Sequence, residues 1–165
     1  MRIPLMLVVL GVLLPARAAC QQPPLLAMWG THGSGDGQFL GTSGVAVDSN
    51  GRVYVADFNN HRVQVFAGNG EYMSQWGSFG SEPGQFFRPQ QMATDGVGRI
   101  YVADSWNGRI QVFDANGVFL TNMASGLGHP PGVAADGNGR VYVVTSYHWV
   151  VVYAGDGTLH HPVGI

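Results

Sequence analysis

Lysine is absent from this chain, and charge of either sign is sparse: eight arginines face ten acidic residues in 165, for a formal net charge of −2. A surface that grips phosphate backbones needs a dense cationic footprint, so nucleic acid is not the expected partner. Cysteine is almost as rare. Cys20 is the single one, which excludes an internal disulfide and any cysteine-built zinc module. Beyond residue 20 no stretch holds a helical period. Scarce charge with 25 glycines would suit a low-complexity segment, but here the glycines recur at fixed offsets inside hydrophobic alternation. They are the turn residues of an all-β protein.

The first residues form their own unit. Met1-Arg2, the apolar run Ile3 to Leu14, Pro15 and the small residues Ala16 to Ala19 have the order of a secretory signal peptide over 1–19. The run is too short for an ordinary membrane span. The expected localisation is therefore secreted or periplasmic. Cleavage near Ala19 would bring Cys20 to the new terminus, where acylation would add a lipid anchor; Arg17 stands where such signals carry an aliphatic residue. Residues 20–24 read as a short disordered lead-in, and 25–165 as one repeat-built segment.

That segment writes one sentence twice and then blurs it. Val53-Tyr54-Val55-Ala56-Asp57, followed by Arg62-Val63-Gln64-Val65-Phe66, returns as Ile100-Tyr101-Val102-Ala103-Asp104 and Arg109-Ile110-Gln111-Val112-Phe113. A worn third copy runs from Val141 to Tyr153. Each copy has two β-branched, aromatic-rich runs around a polar loop, the mark of a hairpin. Flanking runs, Gly44 to Asp48 before the first copy and Glu71 to Trp76 after it, complete four antiparallel strands, and the set recurs. Four strands per forty-odd residues is the blade pattern of a β-propeller. Leu25 to Trp29 is expected as a strand preceding the first blade, and a faint fourth strand of blade three is expected from Thr158.

Gly-Val-Ala-Val-Asp, Gly-Arg-Val-Tyr-Val-Ala-Asp and Asn-x-Arg-Val-Gln-Val-Phe, led by Gly-Gln-Phe, resemble the NHL repeat across nearly all of Leu25 to Tyr153. The third copy departs from it: Thr145 replaces the aspartate and the arginine is missing. The resemblance implies propeller blades of the six-bladed type, about three of them present, and binding of proteins, peptides, small molecules or RNA. It also implies a rival reading, since some relatives are enzymes: a zinc- and calcium-dependent lyase acting on peptidyl-hydroxyglycine, or a calcium-dependent hydrolase. Zinc or calcium is expected only under that rival. An incomplete propeller leaves open strand edges, to be met by further blades or by a second copy of the chain.

Two groups of residues remain as sites. Asp57 with Arg62, and Asp104 with Arg109, recur with the blade, so they are expected to be structural, each carboxylate accepting loop N–H groups and pairing across its hairpin mouth. The hairpin loops and the long leading loops should open on one face. That face collects Phe58, Asn59 and His61 from blade one, Arg88, Trp106 and Asn107 from blade two, and His129, Tyr147 and His148 from blade three. Residue type varies there while position does not, and an aromatic on every blade suits a binding face. Four histidines, with His32, share it without paired ligand spacing, so no metal site is expected. Neither a nucleophile elbow nor a phosphate loop occurs, and no catalytic residue is expected. The expected function is an exported scaffold binding a protein or peptide.

Overall fold

The computed structural model describes residues 25–159. Residues 1–19, expected as a signal peptide, lie outside the described residues, as do Cys20, His160 and His161. Alternating β-branched and aromatic residues between glycine turns give thirteen strands. A two-residue pair, β1 (Thr31–His32) and β2 (Gln38–Phe39), runs parallel inside the first leading loop. Blade one follows as β3 (Thr42–Val47), β4 (Val53–Asp57), β5 (Arg62–Phe66) and β6 (Tyr72–Trp76). Blade two is β7 (Pro89–Thr94), β8 (Ile100–Asp104), β9 (Arg109–Phe113) and β10 (Phe119–Met123). Blade three has β11 (Gly132–Ala135), β12 (Arg140–Val144) and β13 (Val150–Ala154). Each blade is an antiparallel meander in chain order.

The period-2 alternation of each strand sends its residues to two different interfaces. Ala46, Tyr54, Val63 and Val65 of blade one meet Met92, Ile100, Val102 and Phe113 of blade two. The opposite face of blade two, with Tyr101, Ile110 and Val112, meets Val133, Val141, Val143 and Tyr153 of blade three. Blade two is thus buried on both faces. Among the described residues the outward face of blade one is covered in part, by Trp29 and Phe39 on Phe66, and Val45 and Val47 stand exposed on it. The innermost strands nearly touch: a Cβ on Gly44 would fall 2.3 Å from the carbonyl oxygen of Gln90. The Ser43 and Thr94 hydroxyls bridge the same seam to the carbonyls of Pro89 and Val47, both at 2.8 Å.

Two expectations from the sequence need correction. Leu25 to Trp29 is not a strand: it adjoins blade one, which already has its four strands, and pairs with no sheet among the described residues, and Leu25, Leu26 and Met28 stay exposed. Trp29 nevertheless seats against Phe66, 6.1 Å between ring centroids, as Trp76 seats against Phe113 at 5.7 Å. The fourth strand of blade three is reduced, among the described residues, to a single bridge between Tyr153 and Leu159.

Two polar devices hold each blade. At the turn between its first two strands, Asp48 accepts the N–H groups of Asn50 and Arg52, the Arg52 guanidinium at 2.7 Å and the Tyr54 hydroxyl at 3.0 Å. Asp95 does the same with Val97, Arg99 and Tyr101, and Asp136 with Asn138, Arg140 and Tyr142. Burial opposes the charge of Asp48 and Asp95, but these donors outweigh it and hold both carboxyls below their ordinary value. At half-buried Asp136 the Arg140 N–H and guanidinium take the carboxyl down to about 2. Tyr54 is pushed up to about 12 by burial and by its bond to Asp48.

At the mouth of the next hairpin the second device forms. Asp57, fully buried, accepts Leu40 N–H at 2.9 Å, Asn60 at 2.8 Å, the Arg62 guanidinium at 2.9 Å and Gln64 at 3.3 Å. Asp104 repeats this with Phe87, Asn107, Arg109 and Gln111, at 2.8 to 3.0 Å. Each arginine then donates to two carbonyls of the leading loop, Gly35 and Gln38 for Arg62, Glu82 and Gln85 for Arg109. In blade three Thr145, Trp149 and Val151 stand where Asp104, Arg109 and Gln111 stand, and the leading loop is about six residues shorter.

Three outcomes follow. Val102→Asp, at a position with no exposure between two sheets, should abolish folding, because an unpaired buried charge costs several kcal/mol; soluble protein with native far-UV circular dichroism would contradict the packing. Asp104→Asn should lower stability by about 1–3 kcal/mol, read from urea unfolding. The depressed carboxyls bind their protons only below 3.8, so their contribution is complete above that pH and lost as pH falls through their folded values. Thermal melts should accordingly be flat from about pH 7 to 5 and drop between about pH 4 and 2, and an unchanged midpoint at pH 2.5 would disprove it.

Candidate functional site

Because both mouth clasps point the same way, the leading loops and hairpin loops of adjacent blades lie side by side. The result is a strip of rings. Phe79 packs on His61 at 5.1 Å and edge-on to Phe87 at 5.3 Å; His61 also meets Phe87 at 5.8 Å. Phe87 continues to Trp106 at 5.5 Å, and Trp106 to His129 at 5.6 Å. The strip crosses from the first blade's hairpin to the third blade's leading loop. Phe79, Trp106 and His129 are exposed along it, while Phe87 and His61 are half-buried.

Arg88 is built into this strip. Its guanidinium carbon lies 4.9 Å from the Trp106 ring centre and 5.3 Å from that of Phe58. Its backbone N–H donates to His61 Nδ1 at 3.1 Å, so that nitrogen carries no proton. Burial, and then the nearby Arg88 charge, hold the imidazole below its ordinary pKa, in keeping with that role. His129 Nδ1 lies 2.9 Å from the Ser105 carbonyl and is the donor in that pair.

Both Arg88 and His61 have left-handed backbone, φ 56° and 57°. The matching positions in the other blade are glycines, Gly41 for Arg88 and Gly108 for His61, with φ 98° and 68°. The blade needs the conformation; it does not need a side chain there. At Gly108 a side chain is in fact barred, since its Cβ would fall 2.7 Å from the Gly128 carbonyl oxygen. At the two matching positions that carry a side chain, this chain has a histidine and an arginine.

The candidate residues therefore divide. Phe58, His61, Arg88, Trp106 and His129 come together. Asn107 is taken up by the Asp104 clasp and the Gly80 carbonyl. Asn59 is exposed and apart from the rings. Tyr147 pairs with Trp149 at 6.1 Å, and His148 beside them is exposed with φ 68°. Among the described residues no three histidine, cysteine, aspartate or glutamate side chains converge in a way that could hold a metal ion. Sequence reasoning missed Asn60, Gln64 and Gln111 as clasp members. The signal was there: a glutamine recurs at one position of an otherwise apolar central strand.

Comparison with known proteins agrees with this architecture. The chain is similar to the protein lin-41 of Caenorhabditis elegans, 46% identical over 52 residues, 32% of this chain and 4% of the relative. It is similar to human tripartite motif-containing protein 2, 43% identical over 46 residues, 28% of this chain and 6% of that protein. The chain thus spans only a small fraction of these relatives' length. Among solved structures, a chain of the nidogen/laminin complex superposes with a TM-score of 0.60 at 21% identity, over 71% of this chain and 45% of that one, a likeness of fold alone. The NHL repeat profile matches residues 39–66 and 88–113, the first three strands of blades one and two. Two consecutive four-stranded blades of this chain thus each carry an NHL repeat.

Proposed function

We propose that this chain is an exported binding scaffold whose loop face docks a segment of a protein partner. The observation that carries the reading is the continuous strip Phe79–His61–Phe87–Trp106–His129, in which side chains the blade does not require are gathered on one face. Exposed aromatic rings that touch one another offer apolar area at little conformational cost, as recognition anchors do. Export is supported by the order of basic start, apolar run and small residues over 1–19. The NHL repeats support a protein partner, and one fold neighbour is itself part of an assembly of two proteins, nidogen and laminin.

The experiment is selection from a displayed library of random dodecapeptides on the purified chain. Trp106→Ala should weaken the selected peptides by about tenfold or more, the scale of a buried anchor. Val97→Ala, on the exposed turn between β7 and β8 at the other end of the blade, should leave them unchanged. Failure to select any peptide, or equal loss in both variants, would remove the loop face from the binding reading.

A further inference from the structure

Of the arginines among the described residues, five are committed. Arg52, Arg62, Arg99, Arg109 and Arg140 each form an ion pair with an aspartate at 2.6 to 2.9 Å. Arg88 is the sixth, and among the described residues it has no carboxylate partner. It is not a stray surface charge. Contacts with Phe58 and Trp106 fix the guanidinium, and the N–H bond to His61 fixes the backbone that carries it. The left-handed φ of 56° is a conformation that a non-glycine residue adopts at a cost, whereas blade one places Gly41 at the same point.

From this geometry we infer that Arg88 is a carboxylate receptor, and that the peptide docked on the strip is acidic. The inference rests on the loop-face reading above. A guanidinium held against aromatic rings keeps the donors on its edge, which match a carboxylate two at a time. The half-buried setting strengthens such a pair relative to one in open water. The rings around it, Phe58 and Trp106 at the centre and Phe79 and Phe87 at one end, would cover an apolar residue next to the acid. The partner segment is therefore an aspartate, a glutamate or a free C-terminal carboxylate beside an apolar side chain. Charge balance points the same way, because the other five arginines among the described residues are already neutralised by aspartates.

The test uses the full chain and the dodecapeptides selected above. Acidic residues next to an apolar one should be enriched, and replacing the acid by its amide should weaken binding by at least about tenfold, the scale of a charged hydrogen bond. Peptides with free and amidated C-termini separate the two sources of carboxylate. Arg88→Gly should remove the preference for the acid while the melting temperature stays the same or rises, since glycine suits this backbone better. Arg88→Lys should retain part of the affinity and lose part of the selectivity, because the planar fork is gone. Three results would overturn the inference. One is selected peptides that depend on Trp106 but show no acidic preference, which leaves the loop-face reading standing. Another is Arg88→Gly protein that binds normally or melts well below the parent, which makes the arginine a brace between blades. The third is a single-stranded oligonucleotide displacing the peptides through Arg88 with higher affinity than any acid-bearing one. Failure to select peptides at all would sink both readings together.

Discussion

Everything on the loop face depends on a carboxylate with no access to water. Asp57 and Asp104 are fully buried, and a buried charge is tolerated only when nearly every lone pair has a donor. Each aspartate therefore dictates four further groups: an arginine and a glutamine from the third strand, an asparagine from the hairpin loop, and a backbone N–H from the leading loop. The arginine and glutamine pass the constraint on to leading-loop carbonyls. The long leading loop is fixed by these polar bonds together with one phenylalanine, Phe39 on Phe66 or Phe86 on Phe113, and its outer side chains are free to vary.

Blade three shows the converse. With Thr145 in place of the aspartate, the acceptor capacity falls to a hydroxyl, which takes the N–H groups of Tyr147 and Trp149 inside its own loop. No arginine or glutamine is required, so Trp149 and Val151 occupy those positions, and the leading loop they would have anchored is short. The three changes are one change, physically coupled. The consequence reaches the loop face, because the shortened loop delivers His129 to Trp106 and ends the aromatic strip there.

The left-handed positions have a related logic. Blades one and two have a positive φ at the end of the leading loop and in the hairpin loop, and glycine adopts it without strain. Arg88 and His61 adopt it with side chains attached, and the two are bonded to each other. Strain alone would say nothing about purpose. Strain at two mutually bonded residues, one of them a cation without an acidic partner among the described residues, is a more specific observation, and it is what the proposal for the seam between blades one and two is built on.

The repeat of Val-Tyr-Val-Ala-Asp and Arg-Val-Gln-Val-Phe determined the strands, their order and the blade, because period-2 alternation with glycine turns has few other solutions and copying it removes the ambiguity. It also marked the two aspartate–arginine pairs, since residues that recur with the blade belong to its construction. The loop-face residues were legible as a set, though not as a site. Sequence could say that Phe58, Arg88, Trp106 and His129 project from loops at one end. It could not say that Asn107 is consumed by a clasp, that Tyr147 turns to Trp149, or that Leu25 to Trp29 finds no sheet to join. Nor could it say that Arg88 meets His61 and Trp106 meets His129, which depends on the spacing between blades where Gly44 meets Gln90 and Gly108 meets Gly128. Packing across residues some 20 to 46 positions apart decided which side chains meet, and local sequence carries no record of that distance.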